Sequence, residues 1–390
     1  MGIEMTFHTL EKAGSYFGAA ILALALLQAC TPSYSYKEND VPEPVKISPR
    51  LQLLFSKTKL VCFGRYAIEV PEEAQLMIGP VGVPSDVEVI NGGQEATKLR
   101  VAADIIKIKS DDDTAEIIYN GEGPGEASWQ LRYFDSDFMK KKGSIYFNTY
   151  VHKGELTFVY RDSINSSNNN KKDTEAATLE KQAAFARNLR LRGPGEVPDE
   201  PGFCISHGFV LDRLYSEQET ASAGLFLPSL PDVTFSIHSN KNAYGDYPPA
   251  DFEKERLELS LLNRIEQAKK DQGIHYPSRT VLREGKRNVQ HWHGEESLIK
   301  RTNGVHDFEW AFVGTPRDVA NPSEFGVTMF TKVEHNTVGA AKSASVSDDE
   351  AVALWDKLLS GLKFRVHVPG APVGSYHIRP GKPFTPPPAT

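Results

Sequence analysis

The chain carries no excess of basic residues: 44 Lys and Arg stand against 51 Asp and Glu, a net charge of −7. A mildly acidic chain has no electrostatic case for binding nucleic acid. An acidic surface suits a basic protein partner, and equally a merely soluble one. The usual signatures of catalysis are also missing. No Gly-x-Ser-x-Gly pentapeptide occurs, which excludes a nucleophile elbow of the serine-hydrolase kind. There is no P-loop, no Gly-x-Gly-x-x-Gly after a strand and no His-Glu-x-x-His. Gly121–Gly125 (GEGPG) is glycine-rich, but its proline and carboxylate are ill suited to cradling phosphate, so it reads as a turn. Ser206-His207 is no catalytic pair, because neighbours on a strand point to opposite faces.

Cysteine is scarce as well, with three in the chain, and one of them belongs to a leader. Lys12 supplies a small positive region, and Tyr16–Ala29 (YFGAAILALALLQA) then runs without charge. That run has the length of a signal-peptide h-region and falls short of the ~20 residues that span a bilayer. It stops at Leu27-Gln28-Ala29-Cys30, which reads as a lipobox. Cys30 is then the lipid-bearing mature N-terminus, and more than one acyl chain gives stable anchoring. Thr31 follows in place of Asp, which favours the outer membrane. Cleavage removes Glu4, Glu11 and Lys12, so the charge of −7 becomes −6. The remaining pair, Cys62 and Cys204, would face an oxidising compartment. A bond between them would close a 142-residue loop. It would contribute roughly 4–5 kcal/mol on the chain-entropy model. Two buried thiols in separate cores are the other reading.

About 360 mature residues exceed one comfortable core, so two domains are expected. The proposed layout is a leader over 1–29, a polar tether over 30–50, and α+β domains over 51–192 and 203–369. Gly193–Gly202 (GPGEVPDEPG) links the domains, and the proline-rich 370–390 reads as an extended or disordered tail. The two halves resemble each other. Each opens with a cysteine-bearing strand, Leu60–Val70 and Phe203–Leu211. Each has paired strands near its end: Ser144–Tyr150 with Leu156–Asp162 across Lys153-Gly154, and Phe308–Val313 with Gly326–Val333. Each closes with a helix and a short strand, Leu189-Arg190-Leu191-Arg192 and Leu362-Lys363-Phe364-Arg365. The first closing helix starts near Asp173 and carries Leu179, Ala183 and Ala186 on one face. The second opens on a capping box, Ser347 with Glu350, and carries Val352, Trp355, Leu359 and Leu362. Two further helices are predicted. Gln94–Lys109 has Leu99, Ala102, Ala103 and Ile106 on one face, and Phe252–Lys270 has Leu257, Leu261, Leu262 and Ile265. Ser166–Lys172 reads as a polar surface loop. The fold class is α+β: two similar lobes, each an antiparallel sheet with packed helices, joined by a Pro/Gly linker.

Among candidate ligands, Gln290–Glu296 (QHWHGEE) would set His291, His293 and Glu295 on one face of a strand. With a fourth group this could hold zinc, but Gly294 suggests a bend before Glu295 and a structural segment is favoured. Arg65 is read as a buried ion-pair partner in preference to a contact residue. Trp129, Tyr133, Phe134, Tyr146, Phe147 and Tyr150 are read as core and sheet surface in preference to a ligand box.

These residues carry a resemblance. Cys62-Phe63-Gly64-Arg65-Tyr66 with Glu69-Val70-Pro71 opens the first half, and Gly202-Phe203-Cys204 with Gly208-Phe209 opens the second. Together with Gly294-Glu295-Glu296 and the helix-strand endings, they resemble immunity proteins against type VI secretion phospholipase effectors, the fourth lipase-cognate family. The resemblance covers about Leu51 to Val368. It implies a periplasmic protein that grips a cognate phospholipase of α/β-hydrolase type between two lobes, blocking lid opening or active-site access. No residue of the chain would be catalytic and no cofactor is implied. Gly64, Arg65, Pro71, Gly294 and Glu295 would be structural motif positions. A ligand-binding lipoprotein or an envelope hydrolase is the alternative, and a deep apolar pocket with convergent polar groups would favour it.

Overall fold

The computed structural model describes residues 46–165, 174–332 and 343–381. The leader, Cys30, most of the tether, the Ser166–Lys172 loop and the last nine residues lie outside them.

The first half contains helix α1 (Pro49–Leu54), strands β1 (Thr58–Phe63), β2 (Tyr66–Pro71), β3 (Gln75–Ile78) and β4 (Val87–Asn91), then α2 (Gly93–Asp111). It continues through β5 (Glu116–Glu122), β6 (Ser128–Phe134), α3 (Asp137–Lys142), β7 (Ser144–Lys153), β8 (Leu156–Asn165), α4 (Glu175–Asn188) and β9 (Leu189–Leu191). The second half runs β10 (Gly202–Ile205), β11 (Gly208–Leu211), β12 (Thr220–Phe226), β13 (Val233–Asn240), α5 (Pro249–Glu258) and α6 (Leu261–Gln272). Strands β14 (Arg279–Val289), β15 (Trp292–Arg301), β16 (His306–Phe312) and β17 (Glu324–Thr331), helix α7 (Asp348–Ser360) and β18 (Leu362–Phe364) complete it.

The internal likeness extends to topology. The first large sheet has the order β4-β8-β7-β6-β5, and the second contains β13-β17-β16-β15-β14 in the equivalent arrangement. Helix α2 and the pair α5–α6 occupy equivalent places in the chain, as do the closing helices α4 and α7. Both large sheets are antiparallel, as the alternating patterns require.

The halves are not joined by the linker alone. Closing strand β9 pairs with β11 of the second half, and closing strand β18 pairs with β2 of the first. Each opening hairpin is thus completed by the other half's last strand. Strand β3 also leaves its own half and adds an edge to the second sheet beside β12. One apolar core therefore runs through both halves, joining Phe63, Ile68, Phe158 and Phe185 to Trp292, Phe325, Trp355 and Phe364. The expected linker is itself pinned: the Glu200 and Gly202 carbonyls each accept from Arg365 at 2.7 Å.

Several expectations need correction. The tether ends before residue 48, because Ser48 caps α1 and donates to Glu350 at 2.7 Å. The tail stays packed beyond residue 370: Tyr376 bridges to Phe364, and the His377 amide donates to the Phe364 carbonyl at 2.9 Å. The predicted helix over 252–270 is two helices, because Ser260 has extended backbone between them. Leu261 alone of its predicted apolar stripe is fully buried, and Leu257 is exposed. Helix α2 forms where predicted but turns the other way. Thr97, Val101 and Ile108 face inward, while Leu99 and Ile106 are 73% and 70% exposed. The closing helix α7 keeps its predicted face and its capping box.

Candidate functional site

The motif residues converge on the waist where the two opening hairpins meet. Gly64 and Cys204 exchange backbone hydrogen bonds of 2.8 Å, and Cys62 and Cys204 are disulfide-bonded with their Cα atoms 6.0 Å apart. Gly64 takes φ of +51°, and a Cβ there would lie 2.7 Å from the Ala221 methyl. Both conformation and space therefore demand glycine. The turn brings Arg65 inward, where it is 2% exposed. Its guanidinium donates to both Glu219 oxygens at 2.7 and 2.5 Å, donates to Asp212 Oδ2 at 2.5 Å, and lies over the Tyr215 ring at 4.2 Å. Burial alone would lower its pKa, but Glu219 and Asp212 outweigh that and hold it above the ordinary value. Lys241, also buried, donates to the Tyr215 carbonyl at 2.9 Å and stands 3.6 Å from Glu219.

Arg365 enters the same region with a different set of partners. It meets main-chain carbonyls of the linker, and burial followed by the Arg65 charge pushes its pKa down to about 9. The group is still a cation at neutral pH, and the carbonyls solvate it. Tyr66, next in the motif, stacks on Phe325 and Phe364 at centroid distances of 4.9 and 5.3 Å, and its hydroxyl is 2.8 Å from Ser239. First-half residues are thus anchored in the second half's core. Pro71 closes β2, and its carbonyl accepts from the Ala74 amide at 2.9 Å.

The Gln290–Glu296 segment does not gather a ligand set. Gln290 and His291 form the β14–β15 turn, so the three candidate side chains part. The His291 Nε2 lies 2.9 Å from the Ala320 carbonyl, and burial lowers its pKa. His293 Nδ1 pairs with Asn288 at 3.0 Å, and Glu295 accepts from the Leu262 amide at the start of α6 at 2.8 Å. Among the described residues no group of three His, Cys, Asp or Glu could hold a metal ion. Gly294 makes room for the Trp310 ring, which a Cβ would meet at 2.5 Å. Glu296 is buried against Arg283 at 2.6 Å and accepts from Trp355 Nε1 at 3.2 Å, tying α7 to its sheet.

The charges of the Arg65 cluster are met within the waist. Open surface suited to a partner lies elsewhere. In the first lobe a groove of about 800 Å³ runs between α2 and the β5–β6 hairpin. Val101, Ala102 and Ile105 line one wall and Trp129 the other, with Tyr150 also lining it. Of the aromatics read as core and sheet surface, Phe147 and Tyr150 are buried and Trp129 is 38% exposed on its strand, where it forms this wall. The Trp129 Nε1 donates to Asn120 at 2.8 Å, and the Tyr150 hydroxyl donates to Asp104 at 2.6 Å. In the second lobe Leu257 and Ile274 stand exposed at the end of α5 and just past α6. The groove was not found from sequence. Its signal was that α2 is apolar on two faces, one more than a helix on a single sheet can bury.

Two comparisons bear on this architecture. Among solved structures, a chain of a Tle4–Tli4 complex matches with TM-score 0.64 at 22% identity, over 80% of this chain and 98% of that one. The type VI secretion immunity protein TplEi of Pseudomonas aeruginosa, solved with an "L" peptide, matches at TM-score 0.60 and 22% identity, over 79% and 98%. Its apo form matches at TM-score 0.60 and 21% identity, over 79% and 97%. Identities this low speak to the fold alone. No curated protein matches. Family models decide the matter: the N-terminal domain of Tle cognate immunity protein 4 matches residues 59–192, and its C-terminal domain matches 196–367. The chain belongs to the Tle cognate immunity protein 4 family, whose members bind an effector and do not catalyse a reaction.

Proposed function

We propose that this chain is a periplasmic lipoprotein, anchored through Cys30 to the outer membrane, that neutralises a cognate type VI secretion phospholipase by gripping it between its lobes. Family membership implies the periplasm, and the lipobox in the sequence supports the anchor. The gripped enzyme is held with its lid closed or its active site covered, so the chain needs no chemistry of its own. The observation that carries this reading is the waist. Exchanged strands, a disulfide and a buried ion network hold the two lobes in one arrangement before any partner arrives. A frame ordered in advance loses less entropy on binding, as tight neutralisation requires. The solved relatives support a binding role, one in a Tle4–Tli4 complex and one with a peptide.

The test is a pull-down of the chain from Thr31 to Thr390 with a candidate phospholipase effector, sought among the neighbouring genes, with phospholipase activity assayed in parallel. A stoichiometric, inactive complex is expected. A folded, active lipase that neither binds nor loses activity would remove the reading. Full-length protein is expected in the membrane fraction, and Cys30→Ser in the soluble fraction.

A further inference from the structure

We infer that the groove between α2 and the β5–β6 hairpin seats one particular kind of effector segment: an apolar stretch that also carries a basic side chain. The inference rests on the effector-binding reading and adds where the first lobe makes contact and with what chemistry.

Helix α2 is held to its sheet largely by polar links. Arg100 bridges Glu88 and Asp104, Asp104 receives the Tyr150 hydroxyl, and only a small apolar cluster around Val101, Leu131 and Val159 lies beneath. The helix therefore keeps its wider apolar stripe free. Ala102 lines the groove and also begins the crest that continues through Leu99, Ala103 and Ile106, all exposed. A contiguous apolar surface of this kind marks an interaction site more often than a chance exposure. The groove's volume falls in the range of sites that take a few side chains.

The rim sets the charge of the occupant. The GEGPGE turn places Glu122 and Glu126 at the mouth, and neither carboxylate is in an ion pair among the described residues. On the helix side Lys98 is already paired with Glu95 at 2.8 Å. The mouth is therefore acidic beside the exposed face of Trp129, and a Lys or Arg entering it gains both carboxylates and the indole face. A purely apolar segment would leave the two carboxylates without partners, and an acidic one would be repelled.

The experiment measures association of the mature chain with the purified phospholipase effector that the pull-down identifies, at low and high salt. Two variants are compared with the parent, Ala102→Arg and the double change Glu122→Lys with Glu126→Lys. Ala102 lies exposed on the helix and Glu122 and Glu126 lie exposed on the rim, and unfolding midpoints establish that each variant is folded. Ala102→Arg fills the groove with a cation and is expected to weaken binding at least about tenfold. The double reversal is expected to slow association about tenfold at low salt, a difference that shrinks at high salt. Binding of both variants within about twofold of the parent, with the parent binding tightly, would overturn the groove while leaving neutralisation intact. A loss with Ala102→Arg alone, with no low-salt effect of the reversal, would overturn the basic occupant. Failure of the parent chain to bind would overturn both readings together.

Discussion

At the waist a guanidinium, a carboxylate and an ammonium lie buried together beside the half-buried Asp212, whereas on α2 two large apolar side chains stand in solvent. Each region departs from the usual distribution, and the departures have different meanings. Around Arg65 each buried charge is met by a charge or a carbonyl at hydrogen-bond distance, so the cluster is complete. On α2 the exposed apolar stripe is left uncovered by the described residues. A charged cluster that satisfies itself explains architecture, and an apolar face left unsatisfied explains recognition.

Breaking the waist is expected to have the largest effect on stability. Arg65→Met strands the buried Glu219 and removes a partner of the half-buried Asp212, and should cost about 3–5 kcal/mol, read from chemical denaturation. A loss below about 1 kcal/mol would mean that Lys241 alone suffices for both carboxylates, and that the cluster is less integrated than its distances imply.

The second break is covalent. Cys62→Ser with Cys204→Ser should lower stability by roughly 2–4 kcal/mol, since the bond closes a long loop. Both sulfurs are fully buried, so thiol reagents should leave the folded, unreduced protein unmodified. Rapid labelling of either residue would place it in an unbonded, open waist.

The third is gentler and depends on pH. The Ser48 hydroxyl first, with the Ser347 amide and Arg50, holds the Glu350 carboxyl below its ordinary range. A depressed carboxylate stabilises the fold above its unfolded pKa and loses that contribution as pH falls through the folded value. The parent should therefore lose stability more steeply below about pH 4.5 than Glu350→Gln, which should cost about 1 kcal/mol near neutrality. Parallel acid titrations would show that this seam between α1 and α7 adds nothing.

Much of the architecture was legible because local signals agreed with the tertiary outcome. The capping box at Ser347, the turn at Lys153-Gly154 and the apolar face of α7 each point one way. Helix α2 misled because it is apolar on both sides, and periodicity cannot say which side meets the sheet. The partners of Arg65 were hidden for another reason. Glu219 and Asp212 lie 154 and 147 residues away, and nothing local marks them as its counterions. The groove has the same character, since its walls come from a helix and a hairpin whose meeting is a property of the packed lobe.

The exchange of closing strands also sets an order in time. Strand β9 has no partner until β11 exists, and hairpin β1–β2 keeps an open edge until β18, almost the last described strand pairing in the chain, has been made. Neither lobe can be finished from its own half. Unpaired edges invite mispairing while they wait, and pairings so distant in sequence form slowly. A growing chain halted before residue 362 would thus still hold the open edge of β2 in its first half, although the β9–β11 pairing was available about 150 residues earlier.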